Sequence, residues 1–99
     1  MLAIYRASRD LPKEEVFGIT VQLRRAATAI PTRIAEGCSR EASLEFIADL
    51  RRSIAASNEL DYLLLLAKDL GYLKSETYDS LNADTVEVRK MIYGLLRKL

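Results

Sequence analysis

An all-α chain folded as an up-down antiparallel four-helix bundle is what this sequence predicts, and three observations carry the prediction. Apolar residues recur at alternating three- and four-residue steps through most of the chain, the spacing of helices buried on one face. The breaks between these runs, at Leu11-Pro12, Gly37-Cys38-Ser39-Arg40 and Leu70-Gly71-Tyr72-Leu73, are short and built from turn-forming residues. No stretch shows the strict apolar/polar alternation of a half-buried strand. Short connections make successive helices antiparallel neighbours.

Helix 1 is expected from Leu2 to about Asp10, with Leu2, Tyr5, Ile4 and Ser8 as inward candidates. Pro12 ends it, because proline disfavours helical geometry in the residue before it. About ten residues span roughly 15 Å, against roughly 42 Å for a third helix of about 28 residues. The first helix is therefore shortened and covers only part of the groove made by its neighbours. Either its true start lies upstream, or something else covers the remainder.

Helix 2 is built on ITVQLRRAATAIPTRIAEG, Ile19 to Gly37. Pro12 is placed at its N-terminal end, where a missing N–H costs nothing, and Glu14 and Glu15 suit the positive end of the dipole. The core face reads Val16, Ile19, Leu23, Ala27, Ile30, Ile34. Pro31 removes the hydrogen bond to the Ala27 carbonyl and should bend the helix. In an isolated helix that costs about 3 kcal/mol, which packing must offset. The apolar phase continues across the proline, favouring one proline-kinked helix over two broken near residue 30. Gly37 is a candidate left-handed cap.

Helix 3 begins between Ser39 and Ser43, either of which can cap it. Its inward positions include Leu44, Ile47, Leu50, Ile54, Leu60, Leu64 and Ala67, but Tyr62 to Ala67 is apolar on every side. A helix apolar all round is buried all round, which is hard to arrange in a single small domain. That points to self-association, with Tyr62, Leu63, Leu65 and Leu66 as the candidate interface. Gly71 is expected to be left-handed, with Tyr72 packed back on Leu66 or Ala67. Ser75 should cap helix 4, whose seam reads Tyr78, Leu81, Thr85, Val88, Ile92, Leu95, Leu99. Gly94 is either a close-packing site or merely tolerated.

The whole chain, residues 1–99, reads as one domain, 49% hydrophobic and carrying fifteen basic against fourteen acidic residues. Free nucleic-acid-binding domains are usually far more basic, so any such binding must come from local patches. Arg24, Arg25, Arg33, Arg40, Arg51 and Arg52 are the candidate contacts. At 100° per residue they form no single stripe, and a solvated face with ion pairs to Glu41, Glu45 and Asp49 is the plainer reading. Repeated around a homo-oligomer, weak phosphate contacts add up. The tyrosines read as core edges and interface anchors rather than base-stacking platforms.

The chain has no histidine, which removes the usual general base and the commonest zinc ligand. No catalytic, metal or cofactor site is expected, and the protein is not read as an enzyme. Glu36 and Glu59 are candidates, with Asn58 and Arg25 or Arg33, for a buried polar network; two carboxylates alone are a weak acid–base signal. The single Cys38 cannot form an internal disulfide, which fits a reducing compartment, and nothing nearby favours its thiolate. There is no signal peptide, and the longest apolar run is too short to cross a membrane. The expectation is a soluble, cytoplasmic protein with no membrane partner.

Taken together, Phe17-Gly18-Ile19-Thr20-x-Gln22-Leu23-Arg24-Arg25-Ala26-Ala27, Ile30-Pro31-x-x-Ile34-Ala35-Glu36-Gly37, Glu45-Phe46-Ile47-x-x-Leu50, Asn58-Glu59-Leu60 and Leu64-Leu65-Leu66-Ala67-Lys68-x-Leu70-Gly71-Tyr72-Leu73 form a specific series. In these motifs the chain resembles the small four-helix-bundle proteins encoded in intervening sequences of bacterial 23S ribosomal RNA genes. The likeness covers residues 12 to 73; helix 4 matches as a pattern. It implies an up-down bundle assembled into a ring, a pentamer, and a relation to accessory bundles of diversity-generating retroelements, which associate with a reverse transcriptase and nucleic acid. The sequence departs from the family in having Arg33 where asparagine is usual, Ala55-Ala56 in place of Gly-Ser, and a first helix a few turns shorter. The expected function is a non-enzymatic, self-assembling module that docks RNA or a nucleic-acid-handling protein through arginines on the ring. The alternatives are a purely structural protein–protein interaction subunit and a metal- or carboxylate-dependent enzyme using Glu36 and Glu59.

Overall fold

In the computed structural model, which describes residues 2–15, 18–38 and 43–99, the chain forms helices α1 (Leu2–Ser8), α2 (Ile19–Cys38), α3 (Ser43–Asp69) and α4 (Ser75–Leu96), with a 3₁₀ turn at Lys13–Glu15. α1 packs on α2 and α4, α2 on α3, and α3 on α4. Among the described residues the diagonal pairs make no close backbone contact, which is the square arrangement of an up-down bundle. The 27 residues of α3 come to about 40 Å of helix and set the 43 Å long dimension. Leu23, Leu50 and Leu64 are fully buried at the centre, enclosed by Ile19, Ala27, Ile30, Leu60, Ala67, Leu81 and Ile92.

Several helix ends differ from expectation, each for a local reason. α1 turns Ile4 and Ser8 inward, followed by Leu11, and leaves Leu2 67% and Tyr5 40% exposed. The inward face is therefore the i, i+4, i+7 set rather than Leu2 with Tyr5. α2 does not start at Pro12. It starts after Gly18, whose carbonyl accepts from Gln22 N–H at 3.2 Å; a glycine inside the helix would cost about 1 kcal/mol, and at its edge that cost disappears. Val16 and the Ser39 cap lie outside the described residues. α4 carries Lys74 at its N-cap with no side-chain cap, so Ser75 is its first helical residue instead.

α2 runs unbroken through Pro31. The proline leaves the Ala27 carbonyl without a helical donor, and at the same level α3 supplies a tie: the buried Ser53 hydroxyl donates to the Ile30 carbonyl at 2.9 Å. Gly37 is not a left-handed cap; it lies inside α2, and Gly71 is the positive-φ residue among those described. A Cβ built on Gly37 would sit 2.5 Å from Phe46 Cδ1 and 3.2 Å from Asp49 Cβ. Its absence lets α2 and α3 approach. Gly94, by contrast, is open, its nearest neighbour being Arg97 at 4.0 Å.

α3 ends as its sequence predicts. Gly71, at φ 81°, donates to the Lys68 carbonyl and Tyr72 donates to the Ala67 carbonyl, both at 2.9 Å. That bond pair is a Schellman motif, and Tyr72 folds back on the core. No atom lies within 4 Å of a Cβ built at Gly71, so Gly71→Ala meets backbone strain alone. It should cost about 1–2 kcal/mol, read as a lower denaturant midpoint with an unchanged slope. A neutral result would mean the left-handed turn is not required.

Candidate functional site

Docking of α1 on α2 builds the most polar concavity. Arg24 Nε donates to Ser8 Oγ at 2.8 Å, and Ser8 Oγ in turn donates to the Tyr5 carbonyl at 2.9 Å. The Arg24 guanidinium lies 5.1 Å from the centre of the Tyr5 ring, a cation–π distance. Below this trio, Arg25, Thr28, Thr32 and Arg33 follow along α2 and complete a cleft of about 450 Å³ that ends at Glu36. Residues at 24, 25, 28, 32 and 33 share one side of a 3.6-residue helix. The Thr28 and Thr32 hydroxyls both donate at 2.7 Å to carbonyls four residues back, leaving their oxygens free to accept.

Three of the six candidate arginines, Arg24, Arg25 and Arg33, are thus brought together. Arg25 is exposed and has no ion-pair partner among the described residues. Arg33 pairs with Glu36 at 3.1 Å. Arg51 and Arg52 are exposed on α3, Arg52 reaching back to the fully buried Asp49 at 2.8 Å. Arg40 lies outside the described residues.

The buried network expected of Glu36, Asn58 and Glu59 does not form within the chain, since all three are exposed. Helix phase is the reason: Ser57 and Leu60 take the inward positions of α3, and Asn58 and Glu59 turn outward. Nor do the two carboxylates meet. Gly37 abuts Asp49, and Glu59 is about ten positions further along α3, roughly 15 Å away. Among the described residues no group of three or more His, Cys, Asp or Glu side chains could hold a metal ion.

The apolar surfaces divide in two. Leu63 is buried in its own core and Leu66 packs against it, correcting their placement in an interface. Tyr62 and Leu65 are exposed, at 64% and 42%. On the other side, where the short α1 stops, a slot of about 260 Å³ opens between α2 and α4. Its floor is Leu60 and its walls include Ile30, Pro31, Ile34, Leu81 and Val88. Met91, Leu95 and Leu99 continue the Val88 face and are exposed, so much of the expected seam of α4 is uncovered. Tyr62 and Leu65 lie 200° and 140° around α3 from Leu60 at 100° per residue, on the far side from the slot.

A sequence model for the 23S rRNA-intervening sequence protein matches residues 1–94. The chain belongs to this family. It is also similar to the crystal structure of a protein of unknown function from the S23 ribosomal protein family of Bacteroides thetaiotaomicron VPI-5482, at 26% identity and a TM-score of 0.89, covering 96% of this chain and 89% of that one. Comparison with curated proteins gives no match. The four-helix architecture of this intervening-sequence protein is therefore that of a solved relative. Among its described residues no helix is long and apolar enough to cross a membrane.

One feature of the family member was missed in its sequence. Asp49, Ser53, Ser57 and Asp61, four apart, run down α3 beside the apolar seam. Ser57 receives Arg89 Nε at 2.9 Å while donating to the Ile54 carbonyl at 2.7 Å, and Arg89 also pairs with Asp61. The period-four run of small and acidic residues was the available signal.

Proposed function

We propose that this protein is a non-enzymatic, cytoplasmic module that assembles into a homo-oligomeric ring, of five copies as the family resemblance implies, and docks RNA through the arginine cleft repeated around it. The observation that carries the reading is the pair of apolar patches on opposite sides of one small domain. A closed ring joins two different complementary surfaces, whereas a twofold dimer uses one surface twice. The cleft supports the RNA half: Arg24, Arg25 and Arg33 concentrate positive charge on a chain whose formal net charge is +1. A weak site gains from repetition, because each further contact of a bound strand is intramolecular.

Light scattering should give a mass several times the 11.2 kDa of the chain; a stable single copy at high dilution would overturn the assembly. With about three phosphate contacts per copy, single-stranded RNA should bind about twenty-fold more weakly per site at 200 mM than at 50 mM salt. Fluorescence anisotropy measures this, and Arg25→Ala combined with Arg33→Ala should flatten the salt dependence. Absence of binding at tens of micromolar protein, at about 50 mM salt where phosphate contacts are strongest, removes the RNA half.

A further inference from the structure

We infer that the arginine cleft is a single-strand site in which the Tyr5 ring stacks an unpaired RNA base while Arg25 and Arg33 hold the flanking phosphates. This rests on the RNA reading above and adds which form of RNA the cleft takes. Tyr5 does not serve the core: Ile4 and Ser8 fill the inward positions of α1, while Tyr5 is 40% exposed and lines the cleft. Yet the ring is held. Its backbone carbonyl accepts from Ser8 Oγ, which accepts from Arg24 Nε, and the same guanidinium lies 5.1 Å from the ring centre. Ser8 is 4% exposed, so the anchor is shielded from water. An aromatic surface fixed before binding loses little freedom when a base arrives.

The surroundings match a nucleotide in chemistry and size. A volume of about 450 Å³ is within the range of small-ligand sites. The Thr28 and Thr32 hydroxyl oxygens can accept from a base amino group or a 2′-hydroxyl. Glu36 closes one end of the cleft and opposes a longer run of phosphates there. In a duplex the base faces are hidden by stacking, so Tyr5 has no partner, and charge alone favours the denser duplex backbone. The two recognition modes therefore predict opposite preferences.

Anisotropy of the full chain at about 50 mM salt, with an unstructured RNA of about 12 nucleotides and its duplex, separates them. The wild type should prefer the single strand. Tyr5→Leu should lose single-strand affinity by on the order of ten-fold with duplex binding unchanged, while Tyr5→Phe retains the preference. Circular dichroism of each variant reports folding, and Tyr5→Phe keeps the test valid if Tyr5→Leu is destabilised. A wild-type preference for duplex, or Tyr5→Phe and Tyr5→Leu losing affinity equally, overturns the stacking proposal while leaving arginine docking in place. Failure of the wild type to bind either RNA overturns the arginine reading and this proposal with it.

Discussion

Gly37→Ala should lower the melting temperature by roughly 5–15 °C, the largest effect expected of any glycine substitution here. Two terms compete. Alanine inside a helix is favoured over glycine by about 1 kcal/mol. Against this, the new Cβ would lie 2.5 Å from the Phe46 ring and 3.2 Å from Asp49 Cβ. The ring can turn away, but Asp49 Cβ moves only with α3 itself. Asp49 is fully buried, and at the next level Ser53 ties the same two helices through the Ile30 carbonyl. Overpacking of this kind costs about 1–3 kcal/mol, so crowding outweighs propensity. Gly94→Ala is the internal control: the site is helical and open, the propensity gain is unopposed, and stability should rise by up to about 1 kcal/mol. Thermal denaturation of both variants decides it. A Gly37→Ala protein as stable as wild type would show that close helix approach is not what the glycine provides.

The periodic part of the fold was legible because the 3.6-residue pattern depends on each helix alone. The continuity of α2 across Pro31 and the Gly71 turn are of this kind. Where expectation failed, a tertiary partner decided the outcome. Ser8 faces inward ahead of Tyr5 because Arg24 on another helix bonds its hydroxyl. Gly37 resembles a helix stop in sequence, but Phe46 and Asp49 make it a contact point. Asp49, Ser53 and Ser57 are buried polar residues whose partners include Arg52, the Ile30 carbonyl and Arg89, and no local spacing names such partners. The cleft follows the same rule. Arg24, Arg25 and Arg33 share a helix face that can be counted from sequence, while the ring of Tyr5 reaches them through the docking of α1.

Leu65→Glu and Met91→Glu should each, alone, reduce the assembly to single chains, and mixing the two variants should restore a dimer but no ring. Both residues are exposed, at 42% and 65%, so neither change disturbs the core. They lie on the two separate apolar patches, one on the outer side of α3 and one beside the slot left by the short α1. In a head-to-tail ring every contact joins the first patch of one copy to the second patch of the next. A buried, unpaired carboxylate on either patch costs several kcal/mol per contact, more than enough to dissociate it. Each variant nevertheless keeps one intact patch. When the two are mixed, the intact α3 patch of Met91→Glu can meet the intact slot of Leu65→Glu, forming one productive contact. The outward ends of that pair both carry the charge, so growth stops at two copies. A twofold dimer behaves differently: one substitution abolishes it, the other leaves it untouched, and mixing rescues nothing. Sedimentation velocity on the two variants and their equimolar mixture distinguishes these patterns, and survival of the assembly in either variant would rule out the ring built on these two surfaces.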